Sequence, residues 1–351
     1  MHHYNPATMK IFYGPNHQQH DPPFEGYDAS GTQPSYEKAV RADSVYAALQ
    51  KTDWAEFHPP VDFGMEPIRA IHSEPYLNYL RTAYQNWKSH SPVEGLAFIP
   101  GTYGINYQKT RSLSGRERSG FFLLDTTVAV TPGTFQAAML AAHSALTGAQ
   151  SLTKGDAAAF ALTRPPGHHA GSEMCGGYCY FNNAAIAAQW LSGYGKVAVL
   201  DVDYHAGNGT QAIFYDRADV LTVSLHADPE KEYPYYAGYA TETGSGPGSG
   251  HHRNFPMPFG TDLPVYLGTL EAAIDLILRT VPDYLVVSAG MDIYKDDPLG
   301  NFNLTQDDIH QIGCEISELA LPTLIVMEGG YDLPSLGANF AAFLEPFAKM
   351  G

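Results

Sequence analysis

The stretch VLDVDYHAGNGTQ, residues 199–211, places three chemically capable side chains at alternate positions. Asp201, Asp203 and His205 would share one face of an extended chain, because successive side chains of a strand point to opposite faces. An apolar run precedes them, so the two carboxylates would lie at the end of a buried strand. Unpaired carboxylates are costly there, and a bound cation would stabilise them. A salt-bridged or capping cluster is the alternative that this pattern leaves open.

The residue types narrow the choice of cation. Carboxylate and imidazole ligands suit Zn²⁺, Fe²⁺, Mn²⁺ or Co²⁺, and a catalytic zinc usually takes three protein ligands and a water molecule. Asp203 and His205 can supply two ligands, and Asp292 in SAGMD can supply a third from a neighbouring strand end. An aspartate in such a position also commonly caps a turn, so Asp292 alone is a weak indication. Three cysteines with no CxxC pair argue against a thiolate zinc site and against a disulfide framework.

Further polar groups follow other apolar runs. His168 and His169 come after a PPG turn, and Tyr331 lies in a GGY turn. Adjacent histidines in a chain that also contains DxDxH suggest a proton-transfer base and a supporting partner. Tyr331 could donate a hydrogen bond to a developing oxyanion, or it could simply pack over the edge of the sheet.

The elements that must position these residues are visible as five apolar runs. Because the runs do not alternate with polar residues, they predict strands buried on both faces. They cover residues 157–163, 196–201, 219–225, 283–289 and 323–328. Helical patterns cover residues 35–50, 73–87, 132–150, 182–191, 209–216, 266–278 and 305–320. Strands that alternate with helices predict an α/β fold with a doubly wound, mainly parallel sheet, whose polar loops meet at the carboxyl edge of the strands.

Composition limits the class of protein. The 351 residues are 44% apolar, with 34 glycines and 25 prolines, which is typical of a globular protein with many structured loops. The formal net charge of -17 argues against nucleic-acid binding and would favour cationic ligands, although an acidic balance that serves only solubility is the alternative that composition alone favours. No apolar run approaches the roughly 18 residues of a membrane span, and no secretory signal is visible, so we expect a cytoplasmic protein without a membrane partner. Weak periodicity predicts a long loop insertion around residues 88–130.

Six motifs occur in an order and spacing that resemble the arginase-like, zinc-dependent histone deacetylase family. They are RPPGHHA, GYCYFNNAAIAAQ, DVDYHAGNGTQ, VSLHADP, SAGMD and EGGYDL. Within that family, DPPFEGYDASG and YAGYATETGSGPGSG look most like the bacterial acetylpolyamine amidohydrolases. The resemblance implies a single arginase/deacetylase-like domain over residues 1–351, with the active site at the carboxyl ends of the strands.

The resemblance also implies two kinds of bound cation. Asp203, His205 and Asp292 match the family's zinc ligands, with Fe²⁺, Co²⁺ or Mn²⁺ as other possible ions at that position. The family also binds a monovalent cation, usually potassium. The matching positions here are Asp201, Asp203, His205, Ser224 and Leu225.

Catalytic roles follow from the same resemblance. His169 would be the general base and then the acid that protonates the leaving amine, with His168 as its electrostatic companion held by Asp201. Tyr331 would hydrogen bond to the substrate carbonyl and then to the oxyanion. Some family members have an aspartate behind the base, where this chain has Asn208, and the neutral amide should raise the imidazole pKa less.

Substrate contacts are implied at the walls and mouth of a tunnel. Gly177 and Tyr178 match positions on one wall, and Tyr233 or Tyr235 would form the opposite wall. In the acetylpolyamine enzymes a long insertion narrows the tunnel through dimerisation and supplies acidic groups. A homodimer is therefore expected, and Glu117 and Asp125 lie in the matching region, where they could pair with ammonium groups of a polyamine or remain solvated.

These residues favour a zinc-dependent amidohydrolase that removes acetyl groups from acetylated polyamines or other small primary amines. Its substrate would be a small cationic acetylated amine. A deacetylase of acetyl-lysine in proteins or peptides is the enzymatic alternative. The same fold hosts ureohydrolases with paired manganese ions, but their motifs differ and would leave Tyr331 without a role. A non-catalytic acetyl-amine binding protein would be expected to lack His169, Tyr331 or a metal ligand, and this chain has all of them.

Overall fold

A computed structural model describes residues 8–27, 31–90, 97–99 and 120–350. Within these ranges the strands are β1 (Met9–Phe12), β2 (Glu25–Tyr27), β3 (Gly31–Gln33), β4 (Ala55–His58), β5 (Ala158–Ala161), β6 (Val197–Asp201), β7 (Val220–Ala227), β8 (His252–Met257), β9 (Tyr284–Ala289) and β10 (Thr323–Met327). β2 and β3 form an antiparallel hairpin. The other eight strands form one sheet in the order β4-β1-β5-β10-β9-β6-β7-β8, and every neighbouring pair is parallel.

The helices of the described ranges connect these strands. They are α1 (Val40–Leu49), α2 (Glu66–Arg69), α3 (Glu74–His90), α4 (Thr134–Thr153), α5 (Asn183–Leu191), α6 (Asn208–Phe214), α7 (Leu263–Thr280), α8 (Gln306–Ser317) and α9 (Leu333–Ala348). Thr305 and Asp308 form a reciprocal capping box at the start of α8. No helix in the described ranges has both the length and the apolar character that crossing a bilayer requires.

The predicted α/β class and parallel sheet are confirmed. The five predicted strands are the five adjacent strands β5, β10, β9, β6 and β7, which occupy the interior of the sheet. Helices cover both faces. Side chains of α1, α7, α8 and α9 pack on one face, and those of α3, α4, α5 and α6 pack on the other. Burial from both sides explains why these strands have no polar alternation.

Elements at the margins were not predicted. β1 and β4 have only four residues each, and β8 carries polar residues and Pro256, as edge strands often do.

α9 was also not predicted, although Leu336, Phe340, Phe343 and Phe347 recur at helical spacing and are buried. The spacing of these apolar residues was therefore sufficient to predict the helix.

The predicted insertion also differs at its start. α3 continues to His90, so residues 88–90, which the predicted insertion included, are helical. Near the end of α3 the Trp87 ring stacks on the Phe98 ring, with ring centroids 5.3 Å apart. This contact packs the last turns of α3 against the segment that contains Phe98. Phe98 and Val130 exchange backbone hydrogen bonds of 3.0 and 2.9 Å and so join the two ends of the segment.

The position of β10 decides which loops meet. After β5 the chain crosses to β6, and the gap between these strands is later filled by β9 and β10. The four strands run parallel, so the segments that follow them leave the sheet at the same edge. Ligand sites of open parallel sheets lie at such a switch in strand order.

A buried ion cluster ties the N-terminal segment to this edge. Glu37 is 1% exposed and Arg41 and Arg164 are as deeply buried. The Glu37 carboxylate lies 3.0 Å from Arg41 Nη1 and 2.8 Å from Arg164 Nε. The same guanidinium groups donate to backbone carbonyls, Arg41 Nε to Gly330 O at 2.6 Å and Arg164 Nη1 to His17 O at 3.1 Å.

We predict that Glu37→Ala strongly destabilises the fold, because it leaves two buried guanidinium groups without their shared carboxylate. Removing one partner of such a buried cluster costs about 3–5 kcal/mol. Urea unfolding of the variant measures the loss. Asp275→Ala is the matched control, since Asp275 pairs with Arg279 on the surface at 3.9 Å. A loss in Glu37→Ala no larger than in the control would contradict the importance of the cluster.

Candidate functional site

Segments that follow β5, β6, β9 and β10 bring the predicted site residues together at one sheet edge. His168 and His169 follow β5, and Asp203 and His205 follow β6. Asp292 follows β9. These side chains are buried or nearly so, with Asp203 and Asp292 at 0% exposure.

Asp203, His205 and Asp292 form one cluster. A ligand atom from each residue lies within 4.8 Å of the others. His205 Nδ1 is 3.1 Å from an Asp292 carboxylate oxygen and 3.3 Å from Asp203 Oδ1. Backbone amides orient the carboxylates, since Gly329 N donates to Asp203 Oδ2 at 2.8 Å and Tyr204 N donates to Asp292 Oδ1 at 3.1 Å.

Two glycines leave room for these carboxylates. A Cβ atom at Gly290 would lie 2.0 Å from Asp203 Oδ2, and one at Gly329 would lie 2.2 Å from Asp292 Oδ2. Any other residue at either position would push a carboxylate out of place. Glycine at both positions therefore leaves the space that the carboxylate oxygens occupy.

The electrostatics of this cluster fit a divalent cation. Burial, followed by the charge of Asp203, raises the pKa of Asp292 to about 7. Within the described ranges, Asp203 and Asp292 form ion pairs with histidines alone, and no lysine or arginine lies within ion-pair distance of either carboxylate. An oxygen and nitrogen donor set with excess negative charge is the chemistry that Zn²⁺ and similar ions prefer. The donor set and the glycine space thus fit the predicted metal.

His168 is held as a cation beside the cluster. Its Nδ1 lies 3.0 Å from Asp201 Oδ2, and its Nε2 lies 3.7 Å from Asp203 Oδ1. Burial opposes the charged form, but the carboxylates of Asp203 and Asp201 outweigh it and raise the pKa of His168 to about 10. His168 therefore supplies fixed positive charge at neutral pH.

His169 has the opposite electrostatic state. Burial and the nearby charges of His168 and His205 lower its pKa well below the usual value, so the ring is neutral at pH 7. Its Nδ1 lies 2.7 Å from Asn208 Oδ1, and Asn208 Nδ2 donates to the Tyr236 hydroxyl at 2.8 Å. Because the amide oxygen can only accept, Nδ1 of His169 carries the proton. The Nε2 lone pair is then available as a base.

Tyr331 is positioned from behind by Arg41. The Arg41 guanidinium lies 4.5 Å from the centre of the Tyr331 ring, and Arg41 Nη2 donates to Glu328 O at 2.7 Å. The Tyr331 amide donates to Asp297 Oδ2 at 2.6 Å. Burial raises the pKa of Tyr331 well above its usual value, so the hydroxyl keeps its proton and can donate a hydrogen bond.

A cavity of about 490 Å³ reaches these groups, and His169, His205 and Tyr331 line it. Gly177, Tyr178, Tyr233 and Tyr235, the residues expected at the tunnel walls, line it as well. The Tyr233 ring meets the His169 ring edge to face, with centroids 4.9 Å apart, and Tyr178 lies 5.6 Å from Tyr331. At Gly177, where φ is +50°, a Cβ atom would lie 2.2 Å from the His169 ring. Only glycine therefore fits at position 177 in the cavity wall.

The structure describes one of the two acidic residues expected near the substrate, Asp125, and does not describe the other, Glu117. Asp125 does not line the cavity, and its carboxylate accepts hydrogen bonds from neighbouring donors. Its Oδ2 accepts from Gly177 N at 2.9 Å and from the Tyr233 hydroxyl at 2.7 Å, and its Oδ1 accepts from Thr127. Asp125 thus joins the two walls of the cavity. Glu117 lies outside the described residues.

The residues expected around a monovalent cation lie behind the cluster. Asp201 is directly opposite Ser224 in the β6 and β7 pair, and Leu225 is buried next to Ser224. Ser224 Oγ lies 2.7 Å from His226 Nδ1, and His226 Nε2 lies 2.8 Å from Gly238 O. The carbonyl requires a proton on Nε2, so Ser224 donates to Nδ1 and keeps its lone pairs for other partners.

Glu328 is a site residue that the sequence analysis missed. It is fully buried at the end of β10, and its Oε2 accepts from Gly167 N at 2.6 Å and His168 N at 3.1 Å. The carboxylate therefore fixes the backbone of the two-histidine loop. Glu328 begins the EGGYDL motif, directly after a buried strand, so the rule that found the other residues could have found it. Arg41 gave no such signal, because an arginine on a helix is usually solvated.

Comparison with known proteins assigns most of the chain to one family. The model of a family described as "Histone deacetylase domain" matches residues 35–346. This range contains all of the clustered side chains described above.

Individual relatives are similar over nearly their whole length. Acetylpolyamine amidohydrolase 2 of Pseudomonas aeruginosa is 43% identical over 345 residues, which cover 97% of this chain and 98% of that protein. Acetylpolyamine amidohydrolase of Mycoplana ramosa is 39% identical over 343 residues, which cover 97% of this chain and 100% of that protein. The crystal structure of acetylpolyamine aminohydrolase from Burkholderia pseudomallei superposes with a TM-score of 0.93 at 38% identity and covers 98% and 99% of the two chains.

We predict that Asp292→Ala weakens Zn²⁺ binding by about 100-fold or more, because one of three clustered ligands is lost. Competition with a chromophoric chelator measures the affinity. Asp296→Ala removes a neighbouring but exposed carboxylate, which pairs with Lys295 at 3.3 Å, and should leave the affinity unchanged. Equal zinc affinity in wild type and Asp292→Ala, with both proteins folded by circular dichroism, would rule out this ligand set.

Proposed function

The chain belongs to the histone deacetylase family, and from this premise we propose that it hydrolyses the acetyl amide of small primary amines. Acetylated polyamines are the preferred substrate class and acetate is a product. The observation that carries the proposal is a single cavity lined by His169, His205 and Tyr331. They offer a base, a metal ligand and a hydroxyl donor, the functions that amide hydrolysis needs. Relatives named acetylpolyamine amidohydrolase, at 39% to 43% identity, support the substrate class.

Asp203, His205 and Asp292 would hold a divalent ion, with zinc as the first choice and Fe²⁺, Co²⁺ or Mn²⁺ as alternatives. When bound, such an ion polarises the amide carbonyl and a nearby water molecule. The two carboxylates neutralise much of the ionic charge, so activation of the water also needs a protein base.

His169 is suited to be that base. Its Nε2 takes a proton from water as the water oxygen bonds to the carbonyl carbon, and then gives the proton to the amide nitrogen as the C–N bond breaks. His168, kept cationic by Asp201, stabilises the negative charge that develops beside it. Tyr331 donates its hydroxyl hydrogen to the carbonyl oxygen while that oxygen becomes negative. Tyr178 and Tyr233 offer flat walls for the aliphatic stem of the amine.

Other features remain predictions of the family resemblance. They are a structural potassium ion near Asp201, Asp203, His205, Ser224 and Leu225, a homodimer, a cytoplasmic location, and a single deacetylase domain with an insertion around residues 88–130. Gly177, Tyr235 and Glu117 stay candidates for contact with the substrate, and Asp125 acts on the substrate's surroundings through its hydrogen bonds to Gly177 and Tyr233.

Steady-state kinetics of zinc-loaded protein test the proposed function. We expect N-acetylputrescine, N-acetylcadaverine and N-acetylspermidine to be hydrolysed with higher kcat/KM than an acetyl-lysine peptide. Tyr331→Phe should lower kcat by about 10²–10³-fold while zinc content stays the same, since it removes one oxyanion donor. A peptide that exceeds the small amines would make the protein a lysine deacetylase. Zinc-loaded protein that cleaves none of these amides would refute the proposal.

The pH profile tests the partner of the base. Asn208→Asp places a negative charge next to His169 Nδ1 and raises the imidazole pKa against the burial and the charges of His168 and His205 that lower it. Activity needs the neutral ring and falls as pH drops through this pKa, so the acidic limb should move to higher pH. Tyr236→Phe, which removes the other Asn208 partner without adding charge, should not move it. An acidic limb that stays in place in Asn208→Asp would contradict the role of His169.

A further inference from the structure

The cavity has a negative character that the catalytic groups do not explain. Glu25 and Glu232 line it, and none of its lining residues in the described ranges is a lysine or arginine. The whole chain has a formal charge of -17, which adds to the local field. A cationic group in the cavity would therefore be attracted, and an anionic one repelled.

The two glutamates are not equivalent. Glu25 is 2% exposed, and its oxygens accept from Gln33 Nε2 at 2.7 Å and from Tyr36 N at 3.3 Å. Burial raises the pKa of Glu25, which weakens it as a permanent anion. Its contacts make it a structural link between the hairpin and the start of the following segment. Asp125, the acidic candidate from the insertion, is likewise occupied.

Glu232 differs because it is partly exposed and only lightly bonded. Its Oε2 accepts from the Tyr204 hydroxyl at 3.1 Å and its Oε1 accepts from Tyr233 N at 3.0 Å. One donor on each oxygen fixes the carboxylate in place, and each oxygen keeps lone pairs for a further partner. A fixed carboxylate binds an ammonium group with less loss of side-chain entropy than a mobile one.

Glu232 lines the cavity and directly precedes a residue that contacts the proposed reaction centre. The ring of the next residue, Tyr233, packs 4.9 Å from His169 and 6.2 Å from His205, measured between ring centroids. A substrate whose amide lies between these histidines would extend along Tyr233. Glu232 lines the same cavity as the two histidines, so its carboxylate is available to an ammonium group on the amine part of a substrate bound there.

We propose that Glu232 is a specificity-determining residue that binds a free ammonium group on the amine part of the substrate. This inference rests on the proposed function and narrows the substrate class to acetylated diamines and longer polyamines rather than neutral acetylamines. A charge-assisted hydrogen bond from the ammonium group to the carboxylate is the interaction that discriminates.

The test compares a charged and a neutral substrate of equal length. N-acetylputrescine ends in an ammonium group, and N-pentylacetamide has a methyl group in its place. Glu232→Gln should lower the ratio of kcat/KM for the charged over the neutral substrate by about tenfold or more, mostly through KM. Glu230→Gln is the matched control, because Glu230 is exposed on the same loop and does not line the cavity. This control should leave the ratio unchanged.

A loss that is equal for both substrates, or an unchanged ratio, would overturn the role of Glu232 and leave only its support of Tyr204 and Tyr233. Calorimetric binding of putrescine to the zinc-loaded enzyme provides a readout that does not need turnover. A Kd that rises about tenfold in Glu232→Gln but not in Glu230→Gln supports the inference, and an unchanged Kd overturns it. Failure of wild type to hydrolyse any acetylamine would instead refute the proposed function.

Discussion

Buried negative charge without a lysine or arginine salt bridge is the constraint on which the rest of this structure depends. Asp203 and Asp292 meet at the carboxyl edge of the sheet, and glycines at 290 and 329 leave space for their oxygens. Such an arrangement is stable only when hydrogen bonds and a cation compensate it. Backbone amides, His205 and the cationic His168 supply part of that compensation. The negative charge that these groups leave uncompensated gives the site its capacity for a divalent ion.

The same constraint explains why the supporting residues are themselves buried and charged. Glu328 holds the backbone of the two-histidine loop, and Arg41 holds the carbonyls on either side of Gly329. Arg41 shares Glu37 with Arg164, so a network of ions spans from the N-terminal segment to the strand ends. Glu328 and Arg41 each fix the backbone next to a site residue, His168 and Tyr331 respectively. Rigid support of this kind keeps a reactive geometry in place without the help of a ligand.

The sequence predicted the interior of the fold and much of the site for a physical reason. A strand buried on both faces leaves a long apolar run, and polar residues that follow several parallel strands meet at one edge, so Asp203 after β6 and Asp292 after β9 were recognisable as a group. Edge strands such as β8 mix polar and apolar residues and carry no such mark. Glu232 and Arg41 depend on contacts between segments distant in sequence. Their local patterns resemble ordinary solvated charges, and only the folded chain distinguishes them.

The place of β10 has a consequence for the order in which the protein can mature during synthesis. β6 and β9, which carry Asp203, His205 and Asp292, are neighbours, whereas β5, which carries the two histidines, joins them only through β10. A nascent chain that lacks residues beyond 320 therefore contains Asp203, His205 and Asp292 but lacks the strand that joins the two parts of the sheet. The strands that precede the clustered carboxylates are then not yet joined to the strand that precedes His168 and His169. Because β10 is the last strand of the described ranges to be synthesised, the two groups of site residues become neighbours in one sheet only after most of the chain has been made.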